Sequence, residues 1–145
     1  MGSEREYRTA SDRPRSDQPL PVPSTVLVGT RVFLAEDEPM LSWALEEVLT
    51  DLGCRVVGTA TRVTEALAFV TNHAFDVAIL DGKLTDGTID PVVDVLLARG
   101  TPVIIATGVT SSECAERFGN VVSIQKPYKD TDVGQALLRA LARAG

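Results

Sequence analysis

Short apolar runs alternate with amphipathic stretches along most of the chain. The consecutive apolar positions of Arg31–Ala35 indicate a strand buried on both faces, as in a parallel sheet. The stretch after it repeats its apolar residues at helical spacing and stops before Gly53, which suits the position just past a helix end. The first unit is therefore predicted as a strand followed by a helix.

The same alternation continues toward the carboxyl end. Further strands are predicted at 55–59, 75–80, 102–106 and 121–125, and further helices at 62–72, 91–98, 111–118 and 131–143. Thr61 is the expected cap of the second helix, and Pro91 fits only the first turn of the third. Five strands alternating with five helices imply right-handed crossovers and an α/β fold with a doubly wound, five-stranded parallel sheet.

The amino-terminal residues have a different composition. Residues 1–24 are rich in Ser, Pro, Arg and acidic residues, with too few apolar side chains to offset the entropy of ordering. We expect residues 1–30 to be a disordered tail and residues 31–145 to form one domain, because 145 residues suffice for one ordinary core. No run approaches the roughly 18 apolar residues of a membrane span, and no secretory signal is evident, so a cytoplasmic protein is expected.

Charge and cysteine content exclude some classes of function. The formal net charge is −6, and the four Arg residues of residues 1–30 are matched there by four acidic residues, so the net acidity lies in residues 31–145. An acidic domain without a basic stripe is unsuited to a phosphate backbone, and nucleic-acid binding is not expected. Cys54 and Cys114 lie in predicted core segments without metal-ligand spacing, which indicates two small buried residues.

Chemically capable side chains follow four of the five predicted strands. Glu36 and Asp37 come after the first, Asp81 after the third, Thr107 after the fourth and Lys126 after the fifth. Ligands of doubly wound sheets bind beyond the carboxyl ends of the strands, so these residues are expected to converge on one pocket. Three close carboxylates repel one another unless a cation neutralises them, and Mg²⁺ prefers such oxygen ligands.

These residues, in this order, resemble the response-regulator receiver (CheY-like) domain of two-component systems. The motifs are the acidic pair Glu36-Asp37, the single Asp81 closing an apolar strand, Thr107 closing another, and Lys126-Pro127. The resemblance covers residues 31–143 and implies a flavodoxin-like (βα)5 fold. It also implies that Asp81 accepts a phosphoryl group from a phosphohistidine of a sensor histidine kinase or histidine phosphotransferase.

The resemblance implies a metal site around the phosphoacceptor. Asp37 and Asp81 would ligate Mg²⁺ directly, together with the backbone carbonyl of Lys83, and Glu36 would act through a metal-bound water. Such a site agrees with the chemistry, because phosphoryl transfer depends mainly on positioning and charge neutralisation.

Two residues beyond the metal site are assigned to the phosphoryl oxygens in the same way. Lys126 would supply an ammonium and Thr107 a hydroxyl donor, and a cis bond before Pro127 is implied. One position departs from the family pattern, since Ser123 stands where receivers commonly carry an aromatic residue that turns inward with the threonine. Transmission by that usual two-part switch is therefore not predicted.

The predicted function is a phosphorylation-controlled binding protein, and not an enzyme. The chain ends at Gly145 after the last predicted helix, so we expect a single-domain regulator that switches protein–protein interactions or relays phosphoryl groups, with an unidentified target. Ser123 also favours a pseudo-receiver that binds its partner without phosphorylation. A phosphohydrolase of the haloacid-dehalogenase type would need a second Asp two residues after Asp81, where Lys83 stands.

Plainer interpretations of the same residues remain. The acidic run that begins at Glu36 could be only a helix start, where carboxylates favour the positive end of the helix dipole. Asp81 before Gly82 could be a turn residue, and Lys126-Pro127 could be a solvated loop. These interpretations predict no convergence of the four strand ends.

Overall fold

A computed structural model describes residues 24–119 and 121–144. In chain order the elements are α1 (Ser24–Leu27), β1 (Arg31–Ala35), α2 (Pro39–Asp51), β2 (Arg55–Ala60), α3 (Val63–Asn72), β3 (Val77–Asp81), β4 (Lys83–Leu84), β5 (Gly87–Thr88), α4 (Asp90–Ala98), β6 (Val103–Thr107), α5 (Ser111–Phe118), β7 (Val122–Gln125) and α6 (Asp130–Ala144). Five parallel strands pair in the order β2-β1-β3-β6-β7. The predicted doubly wound sheet is confirmed.

Both faces of the sheet are covered by helices. Successive residues of β1 alternate between two cores: Phe33 packs with residues of α3 and α4, whereas Val32 and Leu34 pack with residues of α2 and α6. Adjacent side chains of a strand point to opposite faces, so a strand between two helical layers needs apolar residues at every position. This requirement explains the uninterrupted apolar runs of the three central strands, β1, β3 and β6.

A close approach between β2 and α3 depends on a glycine. A Cβ atom added to Gly58 would lie 2.5 Å from the ring of Phe69. That ring stacks on Phe33 with centroids 4.8 Å apart and planes 8° from parallel. Gly58 therefore lets an aromatic stack fill the space between sheet and helix.

The expected boundary of the disordered tail is wrong at its carboxyl end. Residues 24–27 form α1, and Leu27 is fully buried against the core shared by α2 and α6. Burial of the Leu27 side chain supplies apolar area that offsets the ordering of this short segment, whereas Val26 and Val28 stay exposed. The expectation for residues 1–23 lies outside the described residues.

Helix α3 takes its amino-terminal cap from a distant segment. Thr61, the predicted cap, instead donates from its backbone N–H and hydroxyl to Glu65. The carboxylate of Asp86 accepts from the backbone N–H groups of Val63 at 2.6 Å and Thr64 at 3.2 Å. An anion at this end of a helix is favoured by the orphan amides and by the helix dipole.

The carboxyl end of α3 is capped from a distant segment as well. The guanidinium of Arg99 donates to the carbonyl oxygen of Val70 and, at 2.8 Å, to that of His73. It also lies over the ring of Phe75, 5.3 Å from the centroid. A cation at this end satisfies orphan carbonyls and complements the dipole, so α3 is held at both ends by residues from 86–99.

The segment after Asp81 forms a short hairpin. Strands β4 and β5 pair antiparallel, with Lys83 opposite Thr88 and Leu84 opposite Gly87. Leu84 is only 1% exposed, because its side chain enters the core with α3 and α4. The hairpin is thus anchored to the domain directly beside the end of β3.

Cys54 and Cys114 are buried free thiols, and burial raises the pKa of both. Among the residues that the structure describes, no helix combines the length and apolar character needed to cross a membrane.

Replacing Arg99 tests the carboxyl-terminal cap of α3. We expect Arg99→Ala to lower the free energy of unfolding by about 2 kcal/mol, since two hydrogen bonds from a charged donor are lost. Urea denaturation followed by circular dichroism measures this change. Arg139→Ala, at an exposed position of α6, is the matched control and should stay within about 0.5 kcal/mol of wild type. Equal effects of the two substitutions would contradict the capping role.

An ion pair at the amino-terminal ends of β1 and β3 should make stability depend on pH. Arg31 donates to Asp76 from its backbone N–H and its guanidinium, at 2.7–3.3 Å. The side-chain hydrogen bonds and charge of Arg31 outweigh partial burial and hold the pKa of Asp76 below its usual value. A lowered pKa stabilises the folded state above the unfolded-state pKa, and this contribution disappears as pH falls through the folded-state value.

Asp76→Asn should therefore weaken the fall of stability below about pH 4. The side chain is 39% exposed, so the pair contributes at most about 1 kcal/mol. Unfolding midpoints measured from pH 7 to pH 3 provide the comparison. Parallel curves for wild type and variant would show that the pair contributes nothing.

Candidate functional site

The carboxyl ends of the parallel strands bring three carboxylates together. Glu36 and Asp37 directly follow β1, and Asp81 is the last residue of the neighbouring β3. One oxygen of each side chain lies within 4.8 Å of the others. A helix start alone therefore does not account for Glu36-Asp37, since the two residues share a site with Asp81.

Lys126 enters this acidic cluster from the end of β7. Its Nζ atom lies 3.0 Å from Oδ2 of Asp81 and 3.5 Å from Oε1 of Glu36. The backbone N–H of Lys126 donates to the carbonyl oxygen of Thr107 at 2.7 Å, which ties the ends of β6 and β7 together. The Lys126–Pro127 peptide bond is cis.

Glu36 is the most enclosed of the three carboxylates. It is 5% exposed, and its Oε2 accepts from the backbone N–H of Glu38 at 3.1 Å. Burial raises the pKa of Glu36, and the charges of Asp81 and Asp37 act in the same direction, against the Glu38 amide and Lys126. Both oxygens of Glu36 already have a protein partner.

The charges of the carboxylates also shift the pKa values of neighbouring groups. Burial lowers the pKa of Lys126, but hydrogen bonds and charges from Asp81 and Glu36 outweigh burial and raise it above its ordinary value. Tyr128 is half-buried beside the cluster, and burial, aided by the charge of Glu36, raises the pKa of its hydroxyl. Lys126 is therefore a fixed positive charge at neutral pH.

Asp81 lies beside the two remaining predicted residues. Its Oδ1 accepts from the backbone N–H of Lys83 at 3.3 Å. The Oγ1 atom of Thr107 accepts from the backbone N–H of Val109 and would lie 3.7 Å from a Cβ atom added to Gly82. The structure thus brings Glu36, Asp37, Asp81, Lys83, Thr107 and Lys126 to one edge of the sheet.

One contact of the site was not predicted from the sequence. The hydroxyl of Thr85, at the turn of the β4–β5 hairpin, donates to Oδ2 of Asp37 at 3.3 Å. The sequence beyond Asp81 does not indicate this contact, because the two residues are 48 positions apart and only the fold of the hairpin brings them together.

The donor set fits a hard divalent cation. All three acidic side chains offer oxygen, and the single ammonium of Lys126 leaves two of the three negative charges uncompensated. Mg²⁺ takes oxygen ligands, retains several waters and needs only one or two carboxylates. The residues present therefore suit Mg²⁺, whereas no soft or nitrogen ligand that would favour zinc belongs to the described cluster.

Ser123 lies away from this edge, in the middle of β7. Its side chain is half-buried and hydrogen-bonds Cys114 of α5, which opposes the effect of burial on the pKa of that thiol. Ser123 also lines an open groove between α5 and α6 whose rim includes Arg139 and Arg143. A small residue here leaves a surface hollow where an aromatic side chain would occupy space.

Comparison with known proteins agrees with this geometry. Residues 32–138 match the response regulator receiver domain family. The transcriptional regulatory protein PdtaR of Mycobacterium tuberculosis is 31% identical over 121 residues, covering 80% of this chain and 58% of PdtaR.

Two solved structures extend the comparison. SdrG from Sphingomonas melonis superposes with a TM-score of 0.68 at 37% identity, over 78% of this chain and 97% of SdrG. The anti-anti-sigma factor PhyR from Bartonella quintana gives 0.68 at 26% identity, over 83% of this chain and 51% of PhyR. The chain thus spans about half the length of PdtaR and of that PhyR.

Removing one carboxylate should stabilise the cation-free protein. Asp37 faces two other carboxylates while Lys126 pairs with Glu36 and Asp81. We expect Asp37→Asn to raise the free energy of unfolding by about 1 kcal/mol in EDTA, because like-charge repulsion is relieved without loss of an ion pair. Urea denaturation measures the difference. Asp94→Asn, at an exposed position of α4, is the control, and a destabilised Asp37→Asn protein would contradict the predicted repulsion.

Proposed function

Because the chain belongs to the response regulator receiver domain family, we propose that Asp81 accepts a phosphoryl group from the phosphohistidine of a sensor histidine kinase or histidine phosphotransferase. The observation that carries the proposal is the position of Asp81. One oxygen meets the Lys126 ammonium, and carboxylates that suit Mg²⁺ lie within 4.8 Å. A nucleophile, a fixed cation and a divalent-cation site are the parts that phosphoryl transfer needs.

Each carboxylate has its own part in this proposal. Asp37 and Asp81 would hold Mg²⁺ together with the backbone carbonyl of Lys83. Glu36 would act through a bound water, because it is the most enclosed of the three carboxylates, with 5% of its surface exposed. When bound, Mg²⁺ supplies neutralisation of the charge on the transferred group.

The protein's own residues perform the transfer step. A carboxylate oxygen of Asp81 attacks phosphorus, the bond from phosphorus to the histidine nitrogen breaks, and that nitrogen keeps the electron pair. The product is an acyl phosphate on Asp81 and a free histidine. Lys126 and the hydroxyl of Thr107 bind the phosphoryl oxygens, which is electrostatic stabilisation by groups already in place.

The consequence of phosphorylation is a change in protein binding. The relatives PdtaR and PhyR are regulators, and PhyR is an anti-anti-sigma factor, a function exerted on other proteins. We propose that this protein is also a regulator that acts by binding other proteins and has no catalytic output of its own. We place it in the cytoplasm, where kinases have access to ATP. In this proposal, the target protein binds the surface that changes when Asp81 is phosphorylated.

A second candidate function is favoured by Ser123. Receivers commonly carry an aromatic side chain at this position of β7, and its inward movement transmits the signal. With Ser123 there instead, that movement cannot carry the signal across the face between α5 and α6. A pseudo-receiver would use this face for constitutive binding and would ignore the state of Asp81. The two functions differ in whether Asp81→Asn alters the response to a phosphodonor.

The direct test is incubation with MgCl₂ and acetyl phosphate, followed by mass spectrometry of the intact protein. We expect one phosphoryl group that hydroxylamine removes, formed by wild type and by the control Asp94→Asn. Asp81→Asn should take up none. Lys126→Ala should react more slowly, by roughly 100-fold, since a fixed cation at the transferred group is lost.

Beryllofluoride provides a second readout for the same variants. A saturable, Mg²⁺-dependent change in the amide spectrum of wild type, absent from Asp81→Asn, is expected. No modification by acetyl phosphate and no spectral response to beryllofluoride would refute phosphoacceptance and leave the constitutive binding function.

A further inference from the structure

A hydroxyl group from the β4–β5 hairpin reaches into the acidic cluster. Thr85 donates to Oδ2 of Asp37 at 3.3 Å, although the two residues are 48 positions apart in the sequence. A carboxylate has two oxygens with several acceptor positions, so one hydroxyl leaves the rest of Asp37 available to a cation. Thr85 is therefore placed to orient the Asp37 carboxylate while leaving its other acceptor positions available to a cation.

Thr85 is fixed on both sides along the chain. The preceding Leu84 is 1% exposed in the core. The following Asp86 accepts from the first backbone N–H groups of α3, at 2.6 and 3.2 Å, and from the hydroxyl of Thr64 at 3.2 Å. The hydroxyl of Thr85 is thus presented from a segment that is anchored to the core and to a helix.

Asp37 differs from its two neighbours in how its charge is balanced. Lys126 pairs with Asp81 and Glu36, and both are also held by backbone N–H groups. Asp37 is repelled by both of these carboxylates and would turn away from them if it were free to rotate. A neutral donor can hold such a carboxylate in place without cancelling the charge that attracts a divalent cation.

We propose that Thr85 is a positioning residue for the cation site: its hydroxyl holds the Asp37 carboxylate toward Glu36 and Asp81, and Asp86 fixes Thr85 by docking on α3. The proposal rests on the proposed function, since it assigns Thr85 a part in the Mg²⁺ site of that function. Thr85 touches neither the phosphoryl group nor the attacking atom in this assignment.

The test compares three threonine substitutions. Thr85→Val keeps the shape of the side chain but removes the hydroxyl, and Thr85→Ser keeps the hydroxyl. Thr71→Val is the matched control, because the Thr71 hydroxyl is bound to the Leu67 carbonyl of its own helix and lies outside the acidic cluster. Titration of each protein with MgCl₂ by calorimetry gives its affinity for the metal alone.

We expect Thr85→Val to weaken Mg²⁺ binding by about tenfold, as for other groups that orient a metal ligand. Thr85→Ser should recover most of the affinity, and Thr71→Val should match wild type. The urea midpoint of Thr85→Val in EDTA should equal that of wild type, whereas its rise on adding MgCl₂ should be smaller. A purely structural role would lower the midpoint in EDTA and leave the Mg²⁺-dependent rise intact.

The outcomes separate the two proposals. Wild-type binding of Mg²⁺ with unchanged affinity in Thr85→Val would overturn the role of Thr85 and leave the proposed function standing. Failure of Thr85→Ser to recover affinity would also overturn it, since the hydroxyl would not be the group responsible. Absence of Mg²⁺ binding by wild type itself would refute the metal site of the proposed function and this inference with it.

Discussion

Repulsion among three carboxylates is the constraint around which the rest of this domain is arranged. Glu36, Asp37 and Asp81 lie within 4.8 Å of one another, and one ammonium cannot neutralise them. Such a cluster persists only if its backbone is rigid, because mobile carboxylates would separate. The sheet supplies that rigidity, since β1 and β3 are buried on both faces by two helical layers. Stability gained in the cores thus maintains a site that is unfavourable without a cation.

Much of the fold and of this site is predictable from the sequence, for two physical reasons. Strands between two helical layers need continuous apolar runs, which made the three central strands β1, β3 and β6 recognisable. Parallel topology then places the residues after those strands together, so Asp81 and Lys126 could be assigned to one pocket before any contact was known. The features that escaped prediction depend on long-range hydrogen bonds. Thr61 has the local pattern of a cap, yet Asp86 performs that task, and nothing near Asp86 in the sequence indicates its partner.

The acidic cluster and the surface that would transmit a signal from it lie in different parts of the sheet. The acidic cluster lies at the strand ends, whereas Ser123 and the groove between α5 and α6 lie along the β7 edge. A substitution in that groove therefore changes none of the three carboxylates. Members of one family can share the acidic site while they differ in the partners they contact, and the similarity to PdtaR, SdrG and PhyR concerns the shared domain.

Helix α3 depends on two residues distant in the sequence, Asp86 and Arg99, which cap its two ends. Asp86 and Arg99 satisfy the terminal amides and carbonyls that the helix cannot satisfy itself. A ten-residue helix of this kind is marginal alone. Opening of the hairpin and unravelling of α3 are thus one cooperative event, so amide hydrogen exchange in both segments reports a common opening free energy. Helix α3 and the β4–β5 hairpin then behave as a single exchange unit within the domain.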